Sequence, residues 1–590
     1  MSLGKILKPG GPERGPSVRL TLHPINQLPE EPAPAPEPAT ERRGGAKPRA
    51  VLRFVLLTCG FFLVALALQL AAGAYTAELG GYPDEPAHFT TGLMIHDYLA
   101  GHFSQPAMRF AEDFYLHYPK VALLHWPPVF YLAEALWLLL FPVSKASVLV
   151  LIALYTSLCS AILATWIARR SSLLAGCLTA ALFVLTPEVQ RHTDMVMVEM
   201  LLTLTGLLAA VSFGRFLETG NWRYSCLFGV FASLAILTKG NAWALALLPL
   251  LAVLISGRFR LLRTVAFWLP VGVVGLMCGP WQILTLHAAS QGWYESGIQF
   301  TMEAIVVFAS GIMAGVNPVV FFVMLAGIAA TIAIPRISGK PADGGLVAMV
   351  SLMISVYVFH CVVPAGMDTR YMILGLPGLF VFLPPGVSAI CGFLRAHRFT
   401  WISRPPVAAG IIGLFFLGQT FVVPAENSFG FTEAAAWLRS QAELRNAVVL
   451  ISSAAMGEGM MVTEGALHET RPGHYFLRAS KMLARQDWSG NVYEARFKSA
   501  EAVKNELDRI SVGLLVFDFT RVGSKETEDY RMVRDMLAAH PDEWRIAGSY
   551  GPAGGDVRPV RIYRRKGDPK QNGRIRVDLS QTLQRVVEQK

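Results

Sequence analysis

Residues 51–74 read VLRFVLLTCGFFLVALALQLAAGA, and the polar stretch YTAELGGYPDEPAHFTTG (75–92) follows directly. An apolar run of about 20 residues is long enough to cross a bilayer. Several basic residues stand on its N-terminal side: Arg42, Arg43, Lys47, Arg49 and Arg53. Because cytoplasmic flanks of membrane helices are enriched in Lys and Arg, these residues place the N-terminus inside. The sequence therefore predicts a first membrane helix from which Tyr75 emerges on the outer side.

The rest of the chain repeats this apolar pattern. Apolar residues make up 53% of the chain and charged residues 16%, with a mean hydropathy of +0.42, whereas soluble domains carry about 25% charged residues. Further apolar runs are 148–168, 264–283, 319–334, 346–363, 371–383 and 407–423. The formal charge of +10 sits at the ends of such runs, so nucleic-acid binding is not expected. We predict a polytopic α-helical membrane protein with an odd number of crossings, about 11 to 13.

One part of this topology is ambiguous. If both apolar runs between Pro127 and Arg170 cross fully, then Arg169 and Arg170 fall on the outer side, against the charge rule. We therefore expect one of the two runs to be re-entrant or to lie in the interface.

Composition divides the chain into three parts. Residues 1–48 are rich in Pro, Gly and charge, which predicts a disordered cytoplasmic tail. Residues 49–425 form the membrane domain, in which 76–124 is an unusually long external loop rich in ionisable groups. Residues 426–590 have the texture of a soluble α/β domain. Its predicted helices are 432–440 and 500–510, and its predicted strands are 447–452, 513–519 and 557–563.

The external loop opens with two adjacent carboxylates, Asp84 and Glu85, and His88 stands one helical turn beyond Asp84. An Asp ahead of a proline is also a good N-terminal helix cap, which would explain one carboxylate but neither the pair nor the histidine. The loop closes with His125 and Trp126 ahead of a Pro-Pro pair, a pattern that also fits a plain helix start and an interfacial Trp.

Ionisable residues also stand at the edges of later apolar runs. Asp194 and Lys239 are placed where burial in the membrane is costly, which favours a functional site, although a cap or a loop position would explain each of them. Arg370 and Tyr371 begin a late apolar run, and a guanidinium suits phosphate oxygens. An ion pair between Arg370 and Asp368 is the plainer alternative.

These motifs occur in a fixed order along the chain. The order is Asp84–Glu85, His125–Pro128, Asp194, Leu237–Gly240 and Arg370–Pro377. The set resembles the C superfamily of glycosyltransferases (GT-C), close to its protein O-mannosyltransferase and aminoarabinose-transferase branch, over about residues 50–425. The resemblance implies a polyprenyl-phosphate sugar donor bound from the bilayer, with the chemistry in the first external loop. It also implies a bacterial inner membrane, with the site and the C-terminal domain on the periplasmic face.

The resemblance assigns expected roles. Asp84 would be the general base on the acceptor hydroxyl, Glu85 its neighbour or the alternative base, and Asp194 would position the acceptor or a metal. Lys239 and Arg370 would bind the donor phosphate. His125 stands where the family has a charged phosphate ligand, and the residues expected to position substrate are His88, Trp126 and Tyr371.

Some relatives use a divalent metal, for which the candidate ligands here are Asp84, His88 and Asp194. The partners implied are membrane lipids and a lipid, glycan or protein acceptor.

Two other function classes remain open. A transporter or flippase would use Asp194, Glu199 and Lys239 as coupling charges within the membrane. A non-catalytic subunit with the same fold would use the C-terminal domain for recognition.

Overall fold

A computed structural model describes residues 46–289, 297–398, 403–486, 493–520, 526–551, 559–567, 575–578 and 586–588. Most of the predicted N-terminal tail, residues 1–45, lies outside the described residues.

The membrane domain consists of helices α1 to α18. They are α1 Ala46–Ala71, α2 Glu85–Asp97, α3 Ala107–His117, α4 Val129–Leu140, α5 Lys145–Ala168, α6 Leu173–Val184, α7 Pro187–Arg191, α8 Glu199–Thr219, α9 Trp222–Ile236, α10 Leu248–Ser256, α11 Val265–Ala289, α12 Ile298–Val316, α13 Pro318–Ile328, α14 Ile334–Ile337, α15 Gly344–Val362, α16 Leu376–Phe380, α17 Leu383–Ala396 and α18 Pro405–Gln419. Short 3-10 turns cover Gly240–Ala246, Phe259–Arg263 and Thr369–Gly375, and π-helical turns cover Tyr98–His102 and Ala329–Ala333.

Within the described part of the chain, seven helices are long and apolar enough to cross a membrane. A pair of helices, Thr369–Phe380 and Leu383–Ala396, passes the same test together but is bent by 54°, which fits either a broken eighth span or a re-entrant loop. Five further apolar helices are shorter, with 10–17 residues. The chain is thus an integral membrane protein, whereas the expected 11 to 13 crossings stay a prediction.

The structure resolves the ambiguous segment through helix α4. At 12 residues α4 is about 18 Å long, too short for the roughly 30 Å of a bilayer core. After α4 the chain is still beside the external loop, because the Lys145 ammonium at the start of α5 donates to the carbonyls of Ala77 (3.1 Å) and Glu78 (2.8 Å). Helix α5 then runs through 24 residues to Ala168, directly before Arg169 and Arg170. The two arginines therefore lie on the side opposite the loop, as the charge rule requires.

The ends of α5, α8 and α15 that lie away from the loop meet at Arg170. Its guanidinium contacts Glu218 at the end of α8 (2.9 Å) and Asp343 at the start of α15 (3.3 Å). The domain therefore has one end that carries Arg170 and another that carries the external loop.

The loop itself is helical. Helices α2 and α3 and the π-helical turn after α2 together occupy most of it, and α2 packs against α4. This packing needs a glycine, because a Cβ at Gly92 would lie 2.2 Å from the Glu134 side chain on α4. The contact holds the middle of α2 close against α4.

The C-terminal domain is α/β, as predicted. Its helices are α19 Phe431–Ser440, α20 Ala455–His468, α21 Ala479–Met482, α22 Ala500–Arg509 and α23 Glu528–Ala539, with a 3-10 turn at Ala442–Leu444. Its strands are β1 Val448–Ser452, β2 Tyr475–Arg478, β3 Ala484–Gln486, β4 Tyr493–Ala495, β5 Val512–Asp518, β6 Trp544–Tyr550, β7 Val560–Arg565, β8 Arg576–Asp578 and β9 Val586–Glu588. Both predicted helices and all three predicted strands are present within a few residues, although 557 and 558 fall outside the described residues.

Five strands form one mixed sheet in the order β2-β1-β5-β7-β6. Strands β2, β1 and β5 are parallel, while β7 is antiparallel to both β5 and β6. Two-stranded antiparallel pairs, β3 with β4 and β8 with β9, complete the described strands.

The C-terminal domain is bonded to the external loop. The Glu78 carboxylate accepts backbone N–H bonds from Phe429 (2.8 Å), Gly430 (3.1 Å) and Thr432 (2.8 Å). Further bonds join the loop to α20 and the turn after it: Thr90 with Thr463 (2.7 Å), Tyr118 with Glu469 (2.5 Å) and Asp97 with Arg471 (2.5 Å). The loop and the domain therefore form one layered unit on the same side of the membrane helices.

We expect Glu78→Gln to loosen this attachment. An amide NH₂ in place of one carboxylate oxygen leaves a backbone N–H facing a donor, which costs about 1–3 kcal/mol. The variant should be cut faster by protease within residues 420–430 and should unfold at lower temperature. Glu433→Gln, at an exposed position of α19, is the matched control. Equal cleavage rates in the two variants would contradict the assignment.

Candidate functional site

Asp84 lies at the N-terminal end of α2 but does not cap it. Its side chain makes no capping hydrogen bond and is 28% exposed. Its carboxylate lies 3.4 Å from the Arg370 guanidinium. The capping interpretation of this aspartate is therefore wrong, and a partly exposed carboxylate beside a buried cation is available for chemistry.

Glu85, the second member of the pair, is fully buried. Its two oxygens accept backbone N–H bonds from Gly81 and Val196, both 2.9 Å long, and Lys145 lies 4.0 Å away. These contacts tie the external loop to the segment before α8. They favour a structural role for Glu85 over that of an alternative base, which stays a prediction.

Arg370 is the centre of the charged cluster. It is 7% exposed and lies 3.2 Å from Asp368, 3.4 Å from Asp84 and 3.9 Å from Glu199. Its guanidinium lies over the ring of Tyr82, 4.1 Å from the centroid. The ion pair with Asp368, expected as the plainer alternative, is therefore present, and Arg370 contacts the proposed base as well.

Lys239 joins the same cluster through a carboxylate. Its ammonium lies 2.6 Å from Glu199, which is 2% exposed and begins α8. The same ammonium lies 5.4 Å from the ring centroid of Tyr371. One buried carboxylate thus holds both predicted phosphate ligands, Lys239 and Arg370, in fixed positions.

Tyr371 packs behind the cations. Its hydroxyl donates to the Ala365 carbonyl (3.1 Å) and its ring stacks on His360 at 4.8 Å. Its ring lies 5.4 Å from the Arg370 guanidinium. Tyr371 therefore forms part of the wall that places the two cations.

An aromatic group borders the site on the α4 side. His88 is buried, stacks on Trp126 at 4.3 Å and bonds the Tyr131 hydroxyl through Nδ1 at 2.8 Å. Burial lowers the pKa of His88 to about 4, against the opposing charge of Asp84. His88 is therefore uncharged near neutral pH, and it supports Trp126.

His125 stands within electrostatic reach of Asp84. Burial lowers the pKa of its imidazole, and the Asp84 charge opposes the shift. An uncharged imidazole binds phosphate less strongly than the cation that the family has at this position.

Asp194 lies apart from this cluster. It is fully buried, and its two oxygens have no hydrogen-bond partner among the described residues. Its electrostatic neighbours are Glu426, Lys145 and Tyr75. Burial and, second, the Glu426 carboxylate raise the pKa of Asp194 to about 7, against the opposing charge of Lys145.

The three candidate metal ligands are not brought together. In the part of the chain that the structure describes, no group of three or more His, Cys, Asp or Glu side chains is arranged to hold a metal. Asp84 faces Arg370, His88 faces Tyr131, and Asp194 faces Glu426. These residues do not fit a single metal site.

Sequence reasoning missed Tyr82 and gave Glu199 a different role. Tyr82 donates to Asp368 (2.8 Å) and covers the Arg370 guanidinium. Glu199 entered only as a coupling charge of a transporter, although it anchors both cations. Its position at the start of an apolar run was a usable signal, since a buried carboxylate there needs a cation. Tyr82 gave no such signal.

Comparison with known proteins agrees with this arrangement. Residues 125–283 match the family model described as dolichyl-phosphate-mannose-protein mannosyltransferase. That segment contains His125, Asp194 and Lys239. The comparison with curated protein sequences gives no significant match.

Solved structures show the fold. ArnT from Cupriavidus metallidurans bound to undecaprenyl phosphate is 14% identical with a TM-score of 0.53, over 85% of this chain and 97% of that one. ArnT from the same organism in the apo state is 13% identical with a TM-score of 0.53, over 88% and 98%. The predicted resemblance to the GT-C superfamily and the predicted fold class are confirmed by these matches.

We expect Asp194 to make stability depend on pH. Its pKa in the folded chain lies above the unfolded value, so between roughly pH 4 and 7 the native state holds a proton that the unfolded state has released. The free energy of unfolding should therefore fall as pH rises through this window, by up to about 1.4 kcal/mol per pH unit. Asp194→Asn should weaken this dependence in thermal unfolding measured across the window, and should be more stable than the wild type above it.

Asp113→Asn, at an exposed position of α3, is the control and should follow the wild type. Part of the pH dependence will survive in Asp194→Asn, because burial also raises the pKa of Glu426 to about 7. A wild-type curve that rises with pH in this range would contradict the assignment.

Proposed function

We propose that the chain is a membrane glycosyltransferase that moves a sugar from a polyprenyl-phosphate donor to an acceptor hydroxyl. The observation that carries the proposal is the cluster around Arg370. The partly exposed carboxylate of Asp84 lies 3.4 Å from the buried Arg370 guanidinium, and Glu199 contacts both Arg370 and Lys239. It combines a base and two cations at the junction between the external loop and the membrane helices. The matched family model and the ArnT fold support the same class.

Asp84 acts as general base in the proposed step. The acceptor oxygen attacks the anomeric carbon as its proton passes to Asp84, and the bond from that carbon to the phosphate oxygen breaks. A single displacement of this kind inverts the anomeric centre. The products are a glycosylated acceptor, protonated Asp84 and a polyprenyl phosphate.

The total charge is the same before and after this step, but negative charge moves from Asp84 to the phosphate. The donor phosphodiester carries one negative charge and the leaving polyprenyl phosphate carries two, while Asp84 loses its own. Arg370 lies beside Asp84, so its guanidinium can compensate the negative charge of the carboxylate before the sugar is transferred and the negative charge of the leaving phosphate afterwards. Lys239 supplies the second cation, held by Glu199.

The donor is proposed to enter from the bilayer. Arg370 and Tyr371 belong to the bent span Thr369–Phe380, and Glu199 opens the span Glu199–Thr219, so the cluster lies at the ends of membrane helices. A long isoprenoid tail needs a site that opens to the lipid near the ends of the membrane helices. The ArnT structure with undecaprenyl phosphate shows that another protein of this fold binds such a lipid.

The remaining predicted residues take supporting roles in the proposal. Trp126, stacked on His88, forms a wall on the loop side, and Tyr371 forms one behind the cations. His125 is kept as a neutral donor near the phosphate. Because the candidate metal ligands are dispersed, the proposed step is written without a metal. The site and the C-terminal domain are placed on the outer, periplasmic face of a bacterial inner membrane.

Asp84→Asn is expected to abolish transfer while the protein folds normally. A positioned base contributes about 10²–10⁴-fold, so the turnover rate should fall by that factor. The measurement uses purified protein in nanodiscs, a labelled polyprenyl-phosphate sugar and a detergent extract of envelope acceptors. Asp113→Asn serves as the carboxylate control in the same loop. Full activity of Asp84→Asn would eliminate the proposed base.

Arg370→Lys is expected to weaken donor binding. Lysine keeps the charge but loses the planar fork that grips phosphate oxygens and lies over Tyr82. The affinity for undecaprenyl phosphate should fall roughly tenfold or more, since hydrogen bonds to charged groups contribute about 1.5–3 kcal/mol. Native mass spectrometry with added lipid measures the bound fraction. Arg170→Lys, at the opposite end of the helices, should bind like the wild type.

A further inference from the structure

The end of the membrane domain opposite the external loop carries arginines that the proposed reaction does not use. Gly257 is the C-terminal cap of α10, and Arg258 follows it directly. The Arg258 guanidinium donates to the carbonyl of Leu217, near the end of α8. Leu217 precedes Glu218, which pairs with Arg170, so these segments lie at the same end of the helices.

Arg336 reaches this place from another helix. It lies in α14, at the end of the span Pro318–Ile337. A Cβ at Gly257 would lie 2.6 Å from Arg336 Nη1 and 2.8 Å from Cζ, so the guanidinium lies directly against the Gly257 backbone. Gly257 has a φ of +68°, which favours glycine, and the absent side chain leaves room for the guanidinium. The contact therefore joins the end of α10 to α14.

Two exposed arginines follow on the same segment. Arg260 and Arg263 lie in the 3-10 turn Phe259–Arg263. Arg260 is separated from Gly257 by so short a stretch of chain that their Cα atoms are at most about 11 Å apart. Because side chains at positions i and i+3 are eclipsed in a 3-10 helix, Arg263 leaves the turn on the same face as Arg260. The group joined by this segment and the Gly257 contact, here named the distal arginines, consists of Arg258, Arg260, Arg263 and Arg336.

The charges of the distal arginines are not compensated by carboxylates. Among the described residues, no carboxylate oxygen lies within 4.0 Å of a guanidinium nitrogen of this group. Glu218 and Asp343, which lie at the same end of the helices, contact Arg170 instead. The C-terminal end of α10 carries roughly half a negative charge, which offsets only part of one cation. The group therefore keeps a surplus of positive charge and of N–H donors.

Exposed apolar side chains stand on both sides of the distal arginines along the chain. Val265 and Trp268 are exposed at the start of α11, and Ile337 is exposed at the end of α14. The Trp268 indole donates to the Leu262 carbonyl (2.9 Å), and tryptophan is enriched at the level of lipid headgroups. Both helices belong to segments long and apolar enough to cross a membrane. The surface thus combines cations for a headgroup with apolar side chains for acyl chains.

We propose that the distal arginines bind the headgroup phosphate of an anionic phospholipid in the leaflet on their side of the membrane. The planar fork of a guanidinium fits two phosphate oxygens. The net negative charge of phosphatidylglycerol complements the surplus of positive charge, whereas the choline cation of phosphatidylcholine cancels the charge of its phosphate. The exposed apolar side chains favour a phosphate that carries acyl chains over a soluble one. The site lies at the opposite end of the helices from Arg370, and its occupation does not depend on the proposed reaction.

The test compares the lipids that the full chain retains. The protein is taken from nanodiscs that contain equal amounts of phosphatidylglycerol and phosphatidylcholine with the same acyl chains, and native mass spectrometry counts the bound lipids. The wild type should retain phosphatidylglycerol in excess over phosphatidylcholine. Added glycerophosphoglycerol, the soluble headgroup, should leave this excess unchanged. Displacement of the lipid by the soluble headgroup would overturn the assignment to a lipid.

Variants locate the site. Arg336→Gln should lower the excess about fivefold, the contribution expected of one basic residue near an anionic membrane surface. Arg260→Gln should have a similar effect, and Arg336→Lys should keep part of the excess because it keeps the charge and loses the fork. The matched control is Arg169→Gln, which removes an exposed cation from the same end of the helices but outside the group, and it should behave like the wild type.

Thermal unfolding in phosphatidylcholine nanodiscs checks that the variants fold. Phosphatidylglycerol should raise the unfolding temperature of the wild type and of Arg169→Gln more than that of Arg336→Gln. If Arg336→Gln does not fold, the exposed Arg260→Gln takes its place in both measurements. The proposal is overturned if the wild type retains no excess of phosphatidylglycerol. It is also overturned if Arg169→Gln lowers the excess as much as the distal variants do, because total charge would then explain the retention.

Discussion

The site depends on one buried carboxylate, Glu199, that contacts two cations, Lys239 and Arg370. Burying Lys239 and Arg370 without a counter-charge would cost several kcal/mol each, and Glu199 lies 2.6 Å and 3.9 Å from them. Because Glu199 begins α8, Lys239 precedes a 3-10 turn and Arg370 lies in another, this contact joins three separate segments of the membrane domain. The external loop then adds Asp84 to an arrangement that is already fixed.

The exposed fraction of the side chains increases from Glu199 to Asp84, the proposed base. Glu199 is 2% exposed, Arg370 7%, Lys239 20% and Asp84 28%. The most buried member is the counter-charge, and the two most exposed are the carboxylates of Asp84, the proposed base, and Asp368 (32%). In the proposed reaction, the acceptor therefore meets Asp84 before it meets the more buried cations. The C-terminal domain closes the outer side, since Glu78, Asp97 and Tyr118 bond it to the loop.

Much of this arrangement was predictable from the sequence, and the remainder depended on tertiary contacts. The apolar runs, the long loop and the α/β texture after residue 426 gave the architecture, because each depends on local composition. The pairing of Arg370 with Asp84 did not follow from the sequence, because 286 positions separate them. The motif also grouped Asp84 with Glu85, yet the first faces Arg370 and the second holds Gly81 and Val196. Adjacent residues at a helix start point in different directions, so adjacency alone could not distinguish the proposed base from its buried neighbour.

The arrangement of Glu199 also separates the rival functions. A transporter would need Glu199 and Lys239 to exchange partners as ions or solutes pass, and hence to be released from each other. Here Glu199 is closed in between Lys239 and Arg370, so freeing it would take away the carboxylate that lies 2.6 Å from the buried Lys239 ammonium, while Arg370 would keep Asp368 and Asp84. An aspartate that served only as a helix cap would not stand 3.4 Å from a buried arginine with part of its carboxylate exposed. That position costs the helix a cap worth about 1 kcal/mol but compensates the Arg370 charge, and the exposed part of the carboxylate favours a role in chemistry.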